Sequence, residues 1–453
     1  MSGASDARTA PPSLGSPAPG APVPGSSTPG SPAGDRRTAV VVDAYSTGAR
    51  LAPRFKAAGL DVVHVQSNPN ESPFYIDRLR RGDFVENVVH QGDLEATAER
   101  VAAYGPAFVV VGSEPGVLLS DALSERLGLP SNGTALSPAR RNKHEMANAL
   151  RRAGLRAVRE LKTGDAEEAV AWASERGDWP VVVKPLDSAG TDGVSLCETP
   201  DAIRAAFTDI LGRPNALQGA NEQLLVQEML RGTQLFTDSI SWDGVHHVSE
   251  CWRDTKRRIE GNLAYDFEEL LDARGEQQDQ VIPYVHAVLD ALGISYGPAH
   301  TEVMLTKDGP VLVECGARLH GSIRDDVIDR CTPSHVTVTV DAYLDPSSVE
   351  RRAAQPYELR AASRCVMLIS HQQGRVVSDA GMRAVEALPS FAGSIAMAQP
   401  GDEITPTVDL FSCPGMIYLV DPDRELLRRD YERLRELEET EGLFEVEPLP
   451  IRA

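Results

Sequence analysis

A beat of strand and helix begins at Thr38 and leaves few folds open to this chain. Thr38-Ala39-Val40-Val41-Val42-Asp43 is an almost unbroken apolar run rich in β-branched residues, suited to a strand buried on both faces of a parallel sheet. A helical stretch follows from about 48 to 58, Gly59 stops it, and a second strand runs from Asp61 to Gln66. The beat repeats as strand 84–89, helix 94–104, strand 108–112 and helix 117–127. Strands alternating with helices predict a parallel sheet covered on both faces. The first crossover, Ser46-Thr47-Gly48-Ala49-Arg50, lacks the G-x-G-x-x-G of a dinucleotide site, so a nicotinamide cofactor is not expected.

Ahead of this beat, residues 1–36 are dominated by Pro, Gly, Ser and Ala. They carry too little apolar surface to offset the entropy of ordering, so a disordered tail is expected. Behind it, Asn132-Gly133 closes the α/β unit and gives an N-terminal domain over 37–135. A central domain over 136–360, with a lid at about 175–230, carries the next strand signals. A third region over 361–453 opens with Cys365-Val366-Met367-Leu368-Ile369 and ends in a charged helix near 423–437. A chain of 453 residues has length enough for several such domains.

The formal net charge of −21 repels phosphate backbones, which argues against nucleic acid as a partner. No apolar run nears the roughly 18 residues of a membrane span, and the opening residues lack a signal-peptide pattern. The expectation is a cytoplasmic chain with no membrane partner. The 6 cysteines are scattered with no C-x-x-C pair, against a zinc site or a disulfide framework.

The chemistry concentrates between Thr301 and Glu314. Two apolar runs flank Lys307-Asp308-Gly309, a hairpin signal. With the turn centred on Asp308, Glu302 and Glu314 fall opposite each other on one face, their Cβ atoms on the order of 5 Å apart. Carboxylates so placed repel, and a bridging hard cation removes the repulsion. Magnesium suits a few carboxylates completed by substrate phosphates, with Mn2+ as the alternative ion. A turn off-centre by one residue would instead send one Glu to solvent. Arg318 follows in Cys315-Gly316-Ala317-Arg318-Leu319-His320-Gly321-Ser322, where a guanidinium is placed to meet a transferring phosphoryl group. A lone Arg is more often a surface charge.

Upstream, Val181-Val182-Val183-Lys184-Pro185 sets Lys184 at the end of a buried strand, where an ammonium needs an anion such as phosphate. The loop from Leu186 to Val194 supplies Gly190, Thr191 and Gly193, small residues that let backbone N–H groups converge on phosphate oxygens. It lacks the G-K-[ST] of a Walker A loop and equally fits a plain hairpin turn. Lys143 lies in a helix expected from Ser137-Pro138, as N-cap and first position, to about Ala153, with Met146 and Leu150 on its apolar face. An exposed helix lysine is the bland alternative. Gln227 and Glu228 end a strand from Leu224 and suit an adenine edge, or solvent. Lys256 stands in the basic run from Arg253 to Arg258, which reads more as a solvated loop than as a site.

In order, a Lys-bearing helix, Val-Val-Lys-Pro with a glycine-rich loop, a Gln-Glu hinge, and two glutamates followed by an Arg resemble the ATP-grasp superfamily over roughly 137–325. The resemblance implies an α/β architecture with an α+β lid, an N-terminal parallel-sheet domain and a C-terminal α+β subdomain. It implies ATP held at its phosphates by Lys143 and Lys184, covered by Gly190, Thr191 and Gly193, and met at the adenine by Gln227 and Glu228. Glu302 and Glu314 match the magnesium ligands, and Arg318 matches the arginine that steadies an acyl-phosphate. Two positions depart from the pattern. Gln234 stands where many members carry a ribose-binding Glu, and Gly316 where many carry a metal-binding Asn.

Within the superfamily the chain is most similar to carboxylate–amine ligases of bacterial specialised metabolism, antibiotic biosynthesis included. That implies small carboxylate and amine substrates, amino acids or a peptide, with Lys256, His320 and Ser322 as candidates to contact them. The same nucleotide site serves biotin-carboxylase-like and purine-pathway carboxylases that use bicarbonate. A nucleotide-binding regulatory module without turnover is a third reading, favoured only by Gly316. A homodimer is compatible with the resemblance.

Overall fold

The computed structural model describes residues 37–449 except 77–78, 187–192, 214–220, 260–261, 322, 409, 411 and 441. Its first sheet has strands β1 (Thr38–Val42), β2 (Asp61–Gln66), β3 (Glu86–Val89) and β4 (Pro106–Val111), all parallel in the order β3-β2-β1-β4. Every residue of β1 is buried, as its unbroken apolar run requires. The first crossover is shorter than expected: a 3₁₀ turn over Ser46–Arg50 precedes an α-helix over Leu51–Ala57. A Cβ at Gly48 would lie 2.3 Å from the carbonyl oxygen of Gly112, so glycine lets the loops after β1 and β4 touch. Those loops lie beyond the carboxyl ends of the strands, where α/β sheets place ligands.

A second sheet, antiparallel, contains β5 (Glu160–Thr163), β6 (Val181–Pro185), β7 (Ser195–Cys197) and β8 (Leu224–Glu228) in the order β5-β8-β6-β7. Helices Ala166–Arg176 and Pro200–Ile210 cover one face, with Ala169, Ala173, Ile203 and Phe207 packed on Val181, Val183 and Val226. The other face is left to the site.

The largest sheet, also antiparallel, joins β9 (Gly232–Trp242), β10 (Val245–Ile259), β11 (Asn262–Leu270), β12 (Gly297–Thr306) and β13 (Gly309–Gly316) to β14 (Ala362–Met367). Its order is β13-β12-β9-β10-β11-β14, continued by strands Met416–Asp421 and Phe391–Ile395. The region after 361 therefore extends this sheet rather than building only one of its own. Helix His335–Leu344 joins two cores: Val336 and Val340 pack with Val41 and Val110, while Val338 packs with Ile240. No helix among the described residues is long and apolar enough to cross a membrane.

Candidate active site

Glu302 and Glu314 are direct cross-strand partners, but not by the expected route. The turn centres between Lys307 and Asp308, pairing Thr306 with Gly309 and Val303 with Leu312. That register would set Glu302 against Val313. A bulge between Val303 and Glu302 skips Val313 and restores Glu302 to Glu314, Thr301 to Cys315 and His300 to Gly316.

The two carboxylates line a cavity of about 250 Å³ together with Lys143, Lys184, Gln227 and Glu228. Its apolar wall includes Val158, Val182, Met229 and Leu312. Lys143 opens a helix over Lys143–Arg152, not one begun at Ser137. The cap is Asn142, whose side chain accepts from the N–H groups of His144 and Glu145; Ser137-Pro138 belongs to a separate 3₁₀ turn. From this position Lys143 Nζ reaches Glu314 Oε1 at 3.0 Å. Lys184 is buried, and among the described residues no carboxylate lies within ion-pair distance of it. Burial and the charge of Lys143 push its ammonium down to about 8, against the opposing pull of Glu314, Glu160 and Glu302.

At the hinge, Gln227 Nε2 donates to Glu160 Oε2 at 2.7 Å. Glu228 lines the cavity with its carboxylate turned to Arg159, which donates from its backbone N–H and from Nε, each at 2.8 Å. Gly193 has φ +66°, and a Cβ there would lie 2.9 Å from Pro185 Cγ, so glycine closes that loop. Gly190 and Thr191 lie outside the described residues, as does Ser322.

Gln234 bridges charges. Its Nε2 donates to Glu302 Oε2 at 3.2 Å and its Oε1 accepts from Lys256 Nζ at 3.0 Å. The Lys256 run is a strand rather than the expected solvated loop: in β10, Asp254 and Lys256 alternate inward while Arg253 and Arg257 form ion pairs with Glu269 and Asp266. Burial would lift Glu302, but His300, Lys256 and Arg318 hold it at about 2. His300 owes its charge to Asp238, 2.8 Å from its Nδ1. Burial would depress the imidazolium, and that carboxylate raises it to about 9. His320 stacks on His300 with ring centroids 4.3 Å apart.

Glu302, Gln234 and Tyr265 also wall a second cavity of about 240 Å³, whose other lining includes Glu114, Asp254, Glu268, Arg318 and His320. Arg318 Nε donates to Glu114 Oε2 at 2.7 Å, and Arg141 holds the other oxygen of that carboxylate. Burial would raise Glu114, but the two guanidinium groups keep it at about 2.

No family model matches the chain. Its sequence is 31% identical to dapdiamide A synthase of Enterobacter agglomerans over 411 residues, 89% of this chain and 96% of that protein. The chain belongs to the ATP-grasp carboxylate–amine ligases. The ligase shares its fold with the crystal structure of an L-amino acid ligase from Bacillus licheniformis, at TM-score 0.70 and 18% identity, over 92% of this chain and 99% of that one. It also aligns with an N5-carboxyaminoimidazole ribonucleotide synthetase solved with ADP, at TM-score 0.64 and 16% identity, over 89% of this chain and 98% of that one. As an ATP-grasp ligase it couples ATP to formation of a C–N bond.

Five residues of the ligase site went unread in the sequence: Glu114, Asp238, Asp254, Glu268 and His300. Two carried a usable signal. His300 stands two positions before Glu302 and so shares its face of the strand, and Glu114 follows β4 at the carboxyl edge of a parallel sheet. The glycine at 316 has a packing reason. A Cβ there would lie 3.0 Å from Glu114 Oε2 and 3.1 Å from Arg318 Cζ, so the small residue gives the Arg318–Glu114 pair its room.

Proposed function

We propose that this ligase joins a small carboxylic acid to an amine through an acyl-phosphate, with amino acids or a peptide as substrates in a cytoplasmic pathway of specialised metabolism. The observation that best supports this reading is the meeting of two cavities at Glu302, Gln234 and Tyr265. The first offers two lysines to ATP phosphates; the second offers Arg318 and His320 to an organic acid.

A carboxylate oxygen from the second cavity attacks the γ-phosphorus, and the bond to the β,γ-bridging oxygen breaks to release ADP. The amine nitrogen then attacks the acyl carbon, the C–O bond breaks with its electrons to phosphate, and the nitrogen loses a proton. Lys143 and Lys184 neutralise and orient the triphosphate, and Arg318 faces the charge that gathers on the transferred group. Magnesium fits the pair Glu302 and Glu314, which supply hard oxygens from one face. When bound it supplies charge neutralisation at the phosphates.

The carboxylase reading shares the first cavity, and the acid and acceptor that enter the second separate it from the ligase reading. The regulatory reading leaned on Gly316, whose size is accounted for by Arg318 and Glu114. A phosphate-release screen with ATP and magnesium over pairs of amino acids tests the proposal. Release that needs both partners, with an amide mass appearing, supports it. Release dependent on bicarbonate would favour a carboxylase, and none under any pairing would favour the regulatory module.

A further inference from the structure

His300 and His320 stack with their ring planes 13° apart, and both face one buried carboxylate, that of Asp238. His300 Nδ1 lies 2.8 Å from Asp238 Oδ1, and His320 Nδ1 lies 3.4 Å from Asp238 Oδ2. Neither His320 Nδ1 nor Asp238 Oδ2 has another hydrogen-bond partner among the described residues. The two atoms are left to each other, and catalytic contacts of this kind are often long until substrate binds. The other histidines around Asp238 are committed. His335 is fully buried, and its Nε2 donates to the Ser239 carbonyl at 2.9 Å. His300 turns its Nε2 toward Glu302 Oε1 at 3.7 Å. His320, with Nδ1 on Asp238, keeps Nε2 for the second cavity that it lines. The cavity's acidic groups are poor acceptors of a proton. Two guanidinium groups hold Glu114, and Lys256 stands 3.4 Å from Asp254. Burial lifts Glu268 to about 8, so it already carries its proton at neutral pH. Amide formation needs an acceptor, because an amine arrives at neutral pH as an ammonium with no lone pair to attack.

We propose that His320 is the general base of the amine half-reaction and that Asp238 is the residue that positions it. Nε2 takes a proton from the ammonium; the N–H bond breaks and its electron pair stays on nitrogen. That nitrogen attacks the acyl carbon and expels phosphate, which leaves with the second proton, and the imidazolium returns its own proton to solvent. The proposal rests on the ligase reading above and adds to it a residue that touches the reacting amine. Arg318, which faces the transferred group, stands two positions before His320 and lines the same cavity. Burial and the charge on His300 lower the His320 imidazole below its usual 6.5, which leaves its lone pair free at neutral pH. Asp238 pulls the other way and steadies the imidazolium once it forms. Burial would lift Asp238, but His320, His335 and His300 hold it well below the usual carboxylate range and so ionised.

Hydroxylamine separates the two half-reactions, being a nucleophile already unprotonated at neutral pH. The full chain is given ATP, magnesium and pairs of protein amino acids, and amide formation is read beside hydroxamate formation from single amino acids with hydroxylamine. His320→Gln should lower the amide rate at saturating substrates about a hundredfold or more, with the hydroxamate rate kept within about threefold. Retained hydroxamate also certifies that the variant is folded. Wild-type amide formation should fall as pH drops through the lowered pKa of His320, and His320→Gln should lose that fall. The groups that face His320 are Asp238 on β9, His300 on β12, Arg318, and His335 on the helix His335–Leu344, with Asp254 and Glu268 in the same cavity. Asp238→Asn removes a charge that favours the imidazolium and should move the fall to lower pH; an unmoved fall overturns its positioning role. Equal loss of amide and hydroxamate in His320→Gln would make the residue a contact for the acid and overturns the proposal. So does an amide rate kept by that variant, a pH fall that persists in it, or hydroxamate without any amide in the wild type. Neither product from the wild type under any pairing would sink the ligase reading itself, and the base with it.

Discussion

Raising the pH from 7 to 9 should weaken ATP binding about tenfold, through Lys184. Burial and Lys143 bring the Lys184 ammonium down to about 8 in the free protein. The triphosphate needs the charged form and raises its pKa on binding. Below 8 the free protein already carries that charge, so affinity is fully present; above 8 binding must first take up a proton. At pH 9 about nine in ten free molecules hold a neutral amine, which multiplies the dissociation constant about tenfold, or about 1.4 kcal/mol. Titration with a fluorescent ATP analogue at pH 7, 8 and 9 reads this directly. Lys184→Arg keeps its charge across the range, so its affinity should stay nearly flat. Parallel pH curves for wild type and Lys184→Arg would refute the reasoning, because the loss would then belong to another group.

Three further expectations concern the neighbours. Glu314→Gln should cut turnover about a thousandfold or more with the far-ultraviolet circular dichroism unchanged, and sizeable residual turnover would count against a metal role for that carboxylate. Glu268→Gln should raise the melting temperature at pH 9 and leave it nearly unchanged at pH 4. Its pKa is raised from 4.5 to about 8, so the stability it contributes is present below 4.5 and is lost as pH rises through 8. The full shift sets an upper bound of about 5 kcal/mol, and partial solvation brings the expected gain nearer 2 kcal/mol; a gain independent of pH would contradict this account. Gly316→Asn should raise KM for the acid at least about tenfold, since a clash at the Arg318–Glu114 pair displaces the guanidinium, and leave ATP affinity intact; an unchanged KM would show that the pair yields freely.

Much of the frame was legible because periodicity reports burial directly. The apolar run from Thr38 to Val42 and the repeat behind it predicted a parallel sheet, and the protein has one. The hairpin from Thr301 to Glu314 brought two glutamates to one face, but its bulge could not be read, since a bulge is set by what the strand packs against rather than by the residues at its turn. The boundary at Ser137 failed because Asn142, five residues on, makes the better cap. In sequence alone Lys256 reads as a loop residue, because a run of charges looks solvated until the neighbouring strand supplies its partners. Asp254 and Glu268 escaped notice for a simpler reason: they matter only where β10 and β11 border the cavity that Glu302 and Arg318 also line.

The bulge at Val313 has a consequence for how this hairpin tolerates change. A tight two-residue turn pairs positions an odd number of steps apart, whereas Glu302 and Glu314 stand an even number apart, so one spare residue must always be accommodated somewhere between them. Side chains at the tip can drift freely, but chain length there cannot. A residue gained at the tip is harmless only if the kink further along disappears with it, which makes the two irregularities a matched set that should be inherited together.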